Sequence, residues 1–144
     1  MRRIGTLRAT ATAALALTGA LASALPASAW TTAYGSTGAP DRTLRPGCHS
    51  YRYHYVVSPP TGDWLLETRL FDPRGKPRGT NDFLPGSDPA QGHGHFQFCR
   101  STVVPGRFTI RARLSWWTPP SSPLGQPTEQ TVSFKPSHFR LRRS

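Results

Sequence analysis

The fold class is decided by residues 107–117, which read RFTIRARLSWW. Apolar side chains occupy every second position from Phe108 to Trp116, and most positions between them hold arginine, threonine or serine. A period of two places these sets on opposite faces of an extended chain. The stretch therefore predicts a β-strand with one buried face and one face in water, as in an antiparallel sheet.

Shorter stretches of the same kind lie on both sides of it, separated by proline and glycine turns. The further predicted strands are 51–57, 64–71, 95–100, 129–134 and 138–142, with a short strand near 83–84. The aromatic residues expected in the core are Tyr51, Tyr53, Tyr55, Trp64, Phe96, Phe98, Phe108, Trp116 and Phe134. Six or seven short strands over residues 48–142 predict a single all-β domain, an antiparallel sandwich or small barrel.

Residues 1–29 have the three parts of a secretory signal peptide. Three arginines precede an Ala/Leu-rich run over 9–25, and Ala27-Ser28-Ala29 forms a cleavage site. An N-terminal membrane anchor is the alternative, but the run is shorter than the roughly 20 residues that a span needs. We expect cleavage after Ala29, a flexible lead-in over 30–47, no transmembrane anchor, and a secreted, extracellular protein.

The two cysteines, Cys48 and Cys99, are predicted to form a disulfide, because exported chains are oxidised. Free thiols or half of a metal site are the alternatives. Alternation places Cys48 on the side of Arg52, and Cys99 on the side of Gln97. We therefore expect the bond to join the start of one strand to the end of another, rather than to cross the core between two sheets.

The order Cys48, Trp64, Cys99 resembles the Cys…Trp…Cys hallmark of immunoglobulin-like sandwiches. The turns at 72–75 and 105–110 resemble those of bacterial immunoglobulin-like extracellular modules. The pattern departs at Gln97, where the family carries a tyrosine. The Ala-rich leader, the excess of arginine over lysine and this body are together similar to small uncharacterised exported proteins of actinobacteria. The resemblance implies an immunoglobulin-like β-sandwich.

Positive charge is the strongest indication of function. The 144 residues include Lys+Arg 18 and Asp+Glu 7, a net charge of +11, of which the leader holds +3. Alternation places several side chains on the outward faces of their strands, with Glu67 as the only acid expected nearby. The candidate anion-binding residues are Arg52, Arg69, Arg111, Arg113, Trp117, Arg140 and Arg142. If the strands are neighbours, they form a stripe that attracts anionic polymers; the alternative is an ordinary solvated face.

Other chemistries have weaker signals. His93 and His95 have the i, i+2 spacing that could hold copper or zinc, but no third ligand is specified, and glycine-rich loop histidines are the alternative. The chain lacks a Gly-x-Ser-x-Gly elbow, and most of its acids lie in turns. We therefore expect no enzyme activity, no metal and no cofactor. Because base-reading motifs are absent, we expect no sequence-specific nucleic-acid binding.

The sequence thus favours a non-enzymatic secreted protein, an envelope-associated binding or accessory module that uses a basic face. Its expected partner is an anionic cell-envelope polymer or an extracellular protein. The alternative is a secreted inhibitor of an extracellular hydrolase, which would present a Pro-rich loop such as 76–94 or 118–128.

Overall fold

The computed structural model describes residues 30–143, which form an all-β protein. The strands are β1 Gly35–Gly38, β2 Arg42–Leu44, β3 Cys48–Val57, β4 Trp64–Phe71, β5 Pro77–Phe83, β6 Gln91–Cys99, β7 Gly106–Thr118, β8 Thr128–Ser133 and β9 Ser137–Arg143. One turn of 3-10 helix, Arg100–Thr102, follows β6. The predicted leader, 1–29, lies outside the described residues.

The strands form two sheets. The smaller has the order β1-β3-β6, and the larger has the order β2-β9-β7-β4-β5, with β8 also paired to β7. Most neighbours are antiparallel, as predicted, but β2 runs parallel to β9. The chain passes from the small sheet to the large one between β1 and β2, and β2 forms the edge of the large sheet beside β9. The large sheet is therefore mixed rather than purely antiparallel.

The long strand β7 organises the large sheet, because it pairs with β4 on one side and with β8 and β9 on the other. Its alternation is confirmed: Phe108, Ile110 and Leu114 have no exposed surface, whereas Arg111 and Arg113 are exposed. Complete burial of such side chains contributes about 1.5–3 kcal/mol each. The pattern of residues 107–117 thus sets which side of the large sheet faces the core.

Aromatic side chains join the two sheets in one core. Within the small sheet, Tyr53 stacks on Phe96 with ring centroids 4.4 Å apart. Across the sheets, Phe98 stacks on Phe108 at 5.6 Å, and Phe108 continues to Phe139 at 5.6 Å. All nine aromatic residues predicted for the core are buried. The two sheets therefore pack through the faces that alternation assigned to the interior.

A hydrogen-bond network also crosses this core. The hydroxyl groups of Tyr53 and Thr68 are bonded to each other, and Asn81 donates from Nδ2 to the Tyr53 hydroxyl oxygen. Asn81 Nδ2 also donates to the carbonyl oxygen of His95 at 3.0 Å. Strands β3, β4, β5 and β6 are thus connected through buried polar groups whose bonds are satisfied inside the protein.

Tyr53→Phe is expected to lower the free energy of unfolding by about 1–2 kcal/mol, because it removes the hydroxyl on which Thr68 and Asn81 converge. Urea denaturation measures the loss. Tyr51→Phe is the control, since Tyr51 lies on the same face of β3 and its ring stacks on Phe98. An equal loss in both variants would show that the hydrogen bonds of the Tyr53 hydroxyl to Thr68 and Asn81 add nothing to the stability.

Two predicted loops contain strands. Residues 76–94 include all of β5 and the start of β6, although glycines there suggested turns. A Cβ atom on Gly94 would lie 2.4 Å from the Tyr53 hydroxyl oxygen, so this glycine makes room for a buried ring rather than a turn. The lead-in 30–47 likewise contains β1 and β2. Their short pairings with β3 and β9 add strands to both sheets, beyond the six or seven predicted.

The disulfide between Cys48 and Cys99 is present. Cys48 is the first residue of β3, Cys99 is the last of β6, and the two are direct partners in the register of the small sheet. The prediction that the bond joins strand ends rather than crossing the core is confirmed. It fixes the end of the β3–β6 pair and brings together residues 51 positions apart in sequence.

Candidate functional site

The outer surface of the large sheet carries a cluster of arginines on three strands. We call it the arginine face, and it comprises Arg69 on β4, Arg107, Arg111 and Arg113 on β7, and Arg140 and Arg142 on β9. All six residues are exposed. Five of them were candidates from sequence. Arg107 was missed, although alternation with Phe108 also places it on this face.

Two pairs of these arginines are direct cross-strand partners. Arg69 lies opposite Arg111 in the β4–β7 register, and Arg107 lies opposite Arg140 in the β7–β9 register. Like charges in directly opposed positions destabilise a sheet, and cross-strand pairs of this kind change stability by about 0.2–1 kcal/mol. The large sheet therefore places like charges opposite each other at two positions.

His138 lies between these two arginine pairs and is affected by nearby positive charge. Thr109 and His138 are cross-strand partners there, and Thr109 Oγ1 lies 3.0 Å from His138 Nδ1. Partial burial, and then the charge of Arg107, lower the pKa of His138 below its usual value. The lowered pKa means that protonation of His138 is less favourable here than in an isolated histidine.

Carboxylates neutralise part of this charge. Glu67 Oε2 accepts hydrogen bonds from Nε and Nη2 of Arg113, and Glu67 Oε1 lies 3.6 Å from Arg69. Glu67 is not the only acid nearby, contrary to expectation. Asp82 is its direct partner on β5, and Asp41 lies 3.6 Å from Arg142. Both were overlooked because alternation does not show which strands and segments become neighbours.

A shallow depression of about 290 Å³ lies over the centre of the arginine face. Its lining combines cationic, aromatic and small polar residues: Trp30, Glu67, Arg69, Phe71, Arg111, Ala112, Arg113 and Ser133. The guanidinium of Arg111 lies over the Phe71 ring, 4.6 Å from its centroid, in a cation–π contact. Stacking restricts this guanidinium while its N–H groups can still reach an anion.

Trp30 forms one wall of the depression and is half exposed. The next residue holds it in place: Thr31 N donates to Ser133 O, and Lys135 N donates to Thr31 O, both at 3.1 Å. Thr31 also forms a parallel bridge with Phe134. In the sequence, Trp30 stands out only as the residue that follows the expected cleavage site after Ala29. No local pattern indicates that this segment returns to the end of β8.

Of the predicted residues, Arg140, Arg142, Trp117 and Arg52 do not line the depression. Trp117 is partly buried on the outward side of β7, four residues beyond Arg113, and its cross-strand partner is Glu129. It shares the face but does not line the depression, where Trp30 and Phe71 supply the aromatic surface. Arg52 is on β3 and therefore belongs to the other sheet. Alternation correctly made Arg52 outward-facing, but could not show which sheet contains it.

Arg52 instead has histidines as neighbours. It is the direct partner of His95, and His54 is the direct partner of His93. His93 and His95 thus lie on a strand rather than in a loop. Within residues 30–143, no group of three or more His, Cys, Asp or Glu side chains is arranged to hold a metal ion.

Comparison with known proteins assigns no function to these surfaces. The chain matches no known protein family, and no curated protein is significantly similar to it. None of the helices in the described part of the chain is long and apolar enough to cross a membrane.

Proposed function

We propose that this is an exported, non-enzymatic protein with an immunoglobulin-like body of two sheets, which binds an anionic polymer of the cell envelope through its arginine face. The observation that carries the proposal is the pair of opposed arginine contacts, Arg69 with Arg111 and Arg107 with Arg140, beside an aromatic-walled depression.

A bound polyanion would reverse the unfavourable charge interactions of the face. Guanidinium groups donate paired hydrogen bonds to phosphate and carboxylate oxygens, which makes arginine better suited than lysine to this task. Glu67 offsets only part of the charge of Arg69, Arg111 and Arg113, so the depression retains a net positive charge. The aromatic surfaces of Trp30 and Phe71 could pack against the apolar faces of sugar units.

Two features support export. The segment 1–29 has the composition of a cleaved leader, and the disulfide is of the kind that persists in oxidising compartments. Two facing sheets with one shared core support the immunoglobulin-like description. The disulfide joins two strands of one sheet, which differs from the inter-sheet bond of antibody domains.

The double variant Arg69→Ser/Arg111→Ser tests the proposal. It removes two charges from the depression while leaving Arg113 bonded to Glu67. In co-sedimentation with isolated Gram-positive cell envelopes at pH 7.5 and low salt, we expect the variant to bind about tenfold more weakly than wild type. The control, Arg45→Ser/Arg74→Ser, removes the same charge from two exposed positions that lie outside the arginine face, and should change binding by less than about twofold.

Equal losses in the two variants would show that net charge, not the arginine face, determines binding. The tested variant should remain folded, because the repulsion it removes offsets the lost contact between Arg111 and Phe71. We expect its free energy of unfolding to stay within about 1 kcal/mol of wild type.

One observation favours the inhibitor as a second candidate. Residues 119–127, between β7 and β8, are all exposed, and Leu124 at 96% exposure is open to a binding partner. Prolines at 120, 123 and 127 restrict the backbone around it, as suits a loop that enters a protease cleft. Inhibition of a protease with an apolar specificity pocket, abolished by Leu124→Asp but not by Gln126→Ala, would support this candidate; no inhibition by the wild type would exclude it.

A further inference from the structure

The small sheet carries a second cationic surface, on the opposite layer from the arginine face. We call it the histidine face, and it comprises Arg52 and His54 on β3 and His93 and His95 on β6. The β3–β6 register places Arg52 opposite His95 and His54 opposite His93. All four residues are exposed. Three imidazoles and one guanidinium thus occupy a two-by-two block on a regular sheet.

This block lacks carboxylates on its own strands. The other outward positions of β3 and β6 within the described residues hold Cys48, Ser50, Val56, Gln91, Gln97 and Cys99. Arg42 adds a further cation, because it lines a depression of about 200 Å³ together with Pro40, Arg52, Tyr53, His54 and His93. Acidification would therefore add charge to a surface that already carries two guanidinium groups.

The groups of β1 and β5 that contact the block are uncharged. On the β1 side, the His54 ring lies over Gly38. On the β5 side, Asn81 donates to the carbonyl oxygen of His95. Three acids lie on nearby segments, and each has partners elsewhere. Asp82 on β5 is paired in register with Glu67 on the outer face of the large sheet. Asp41, beside Arg42, accepts from Arg140 N and lies 3.6 Å from Arg142, and Asp88, before β6, accepts from Leu84 N and the Ser87 hydroxyl. The groups facing the histidines are thus other histidines, arginines and neutral side chains.

The surroundings of His93 oppose its protonation. Desolvation, then the charges of Arg52, His54 and His95, lower the pKa of His93. A bound polyanion has the opposite effect on the imidazole pKa, because its negative charge favours the protonated form. By linkage, a ligand that raises the pKa of a histidine must bind more tightly as the pH falls through the range where histidine titrates.

We propose that the histidine face is a second anion-binding site, which takes a phosphate-bearing chain polymer and fills on acidification. Outward residues two apart on a strand are about 6.6–6.8 Å apart, so the block offers donors to successive groups of a chain rather than to one ion. Phosphodiester and internal phosphate groups stay ionised in mildly acidic solution, and their oxygens accept from imidazolium and guanidinium N–H groups. This site is separate from the arginine face and does not depend on it.

The test uses inorganic polyphosphate and the full chain carrying Arg69→Ser/Arg111→Ser/His138→Gln, which weakens the arginine face and removes its histidine. Between pH 7.5 and pH 5.5 we expect the affinity to rise at least about tenfold, because a one-unit pKa rise contributes up to about tenfold per histidine and the block holds three. Adding His54→Gln/His93→Gln/His95→Gln should abolish the rise. A rise that survives these three substitutions, or no rise before them, would overturn the proposal. An equal rise with polygalacturonate would overturn the assignment to phosphate.

An NMR titration gives an independent readout on the unsubstituted protein. With saturating polyphosphate, the imidazole pKa values of His54, His93 and His95 should rise, whereas that of His49 should not. His49 is a suitable internal control, because it bonds to the carbonyl oxygen of Pro46 outside the block. Unchanged pKa values at all three positions would contradict the site even if polyphosphate binds elsewhere.

Discussion

Replacing Cys48 and Cys99 together with alanine is expected to lower the free energy of unfolding by about 4 kcal/mol. The bond closes a loop of 51 residues, and its main effect is to restrict the unfolded chain. The closed segment contains β4 and β5 of the large sheet as well as most of β3 and β6. For a domain of this size, the loss is a large share of the total stability.

Guanidinium denaturation of oxidised wild type and of the double variant measures this loss. The matched control is Ser50→Ala/Gln97→Ala, because Ser50 and Gln97 are also direct partners in the β3–β6 register, two positions from the disulfide. We expect the control to differ from wild type by less than about 0.5 kcal/mol. Similar stability of the two double variants would show that the disulfide contributes little.

Asp72→Asn is expected to cost about 3 kcal/mol at neutral pH, because it breaks a buried ion pair. The Asp72 side chain is fully buried: Oδ1 accepts from N–H of Arg74 and Lys76 at 2.9 Å, and Oδ2 accepts from Nε and Nη2 of Arg78 at 2.8 and 2.7 Å. These bonds fix the turn between β4 and β5. Asparagine removes the charge and leaves Arg78 without its partner.

The pH dependence of stability identifies the same carboxylate. Burial raises the pKa of Asp72, but hydrogen bonds from Lys76, Arg78 and Arg74 outweigh it and hold the pKa below its usual value. A lowered pKa in the folded state gives stability that is present above the unfolded value, near pH 4, and is lost as the pH falls through the folded pKa. Asp72→Asn should therefore flatten the decline in stability below about pH 4.

Urea denaturation at pH 7 and at several pH values below 4 measures both effects. Asp63→Asn is the control, because Asp63 is an exposed acid in the turn before β4. It should leave the stability at pH 7 and its acid decline nearly unchanged. An acid decline in Asp72→Asn as steep as in wild type would show that another group causes it.

Local alternation predicted the parts of the fold that depend on one strand at a time. It assigned the buried face of β7, the inward tyrosines of β3 and the outward cysteines. Local alternation failed where contacts between strands, rather than the local sequence, determine the conformation of a residue. Gly94 suggested a loop, but its missing side chain admits the Tyr53 ring into the core. Residues 77–83 have weak strand propensity and form β5 because β4 supplies a partner.

The sequence indicated which residues of the candidate site face outward, but not which of them lie together in the structure. Alternation showed that Arg52, Arg69 and Arg111 face outward, but facing outward does not specify a sheet. The strand order separates Arg52 from the other two and places it among histidines. The opposed arginine pairs and the return of Trp30 to the end of β8 depend on register and long-range contacts, which no local pattern contains.

The central claim is that the arginine face binds an anionic polymer, and the salt dependence of binding tests it most directly. At pH 7.5, the logarithm of the association constant for purified teichoic acid should fall linearly with the logarithm of salt concentration. For Arg69→Ser/Arg111→Ser, we predict a slope shallower by about one to two units, since two fewer guanidinium groups displace counterions. Identical slopes for the variant and wild type would contradict the claim.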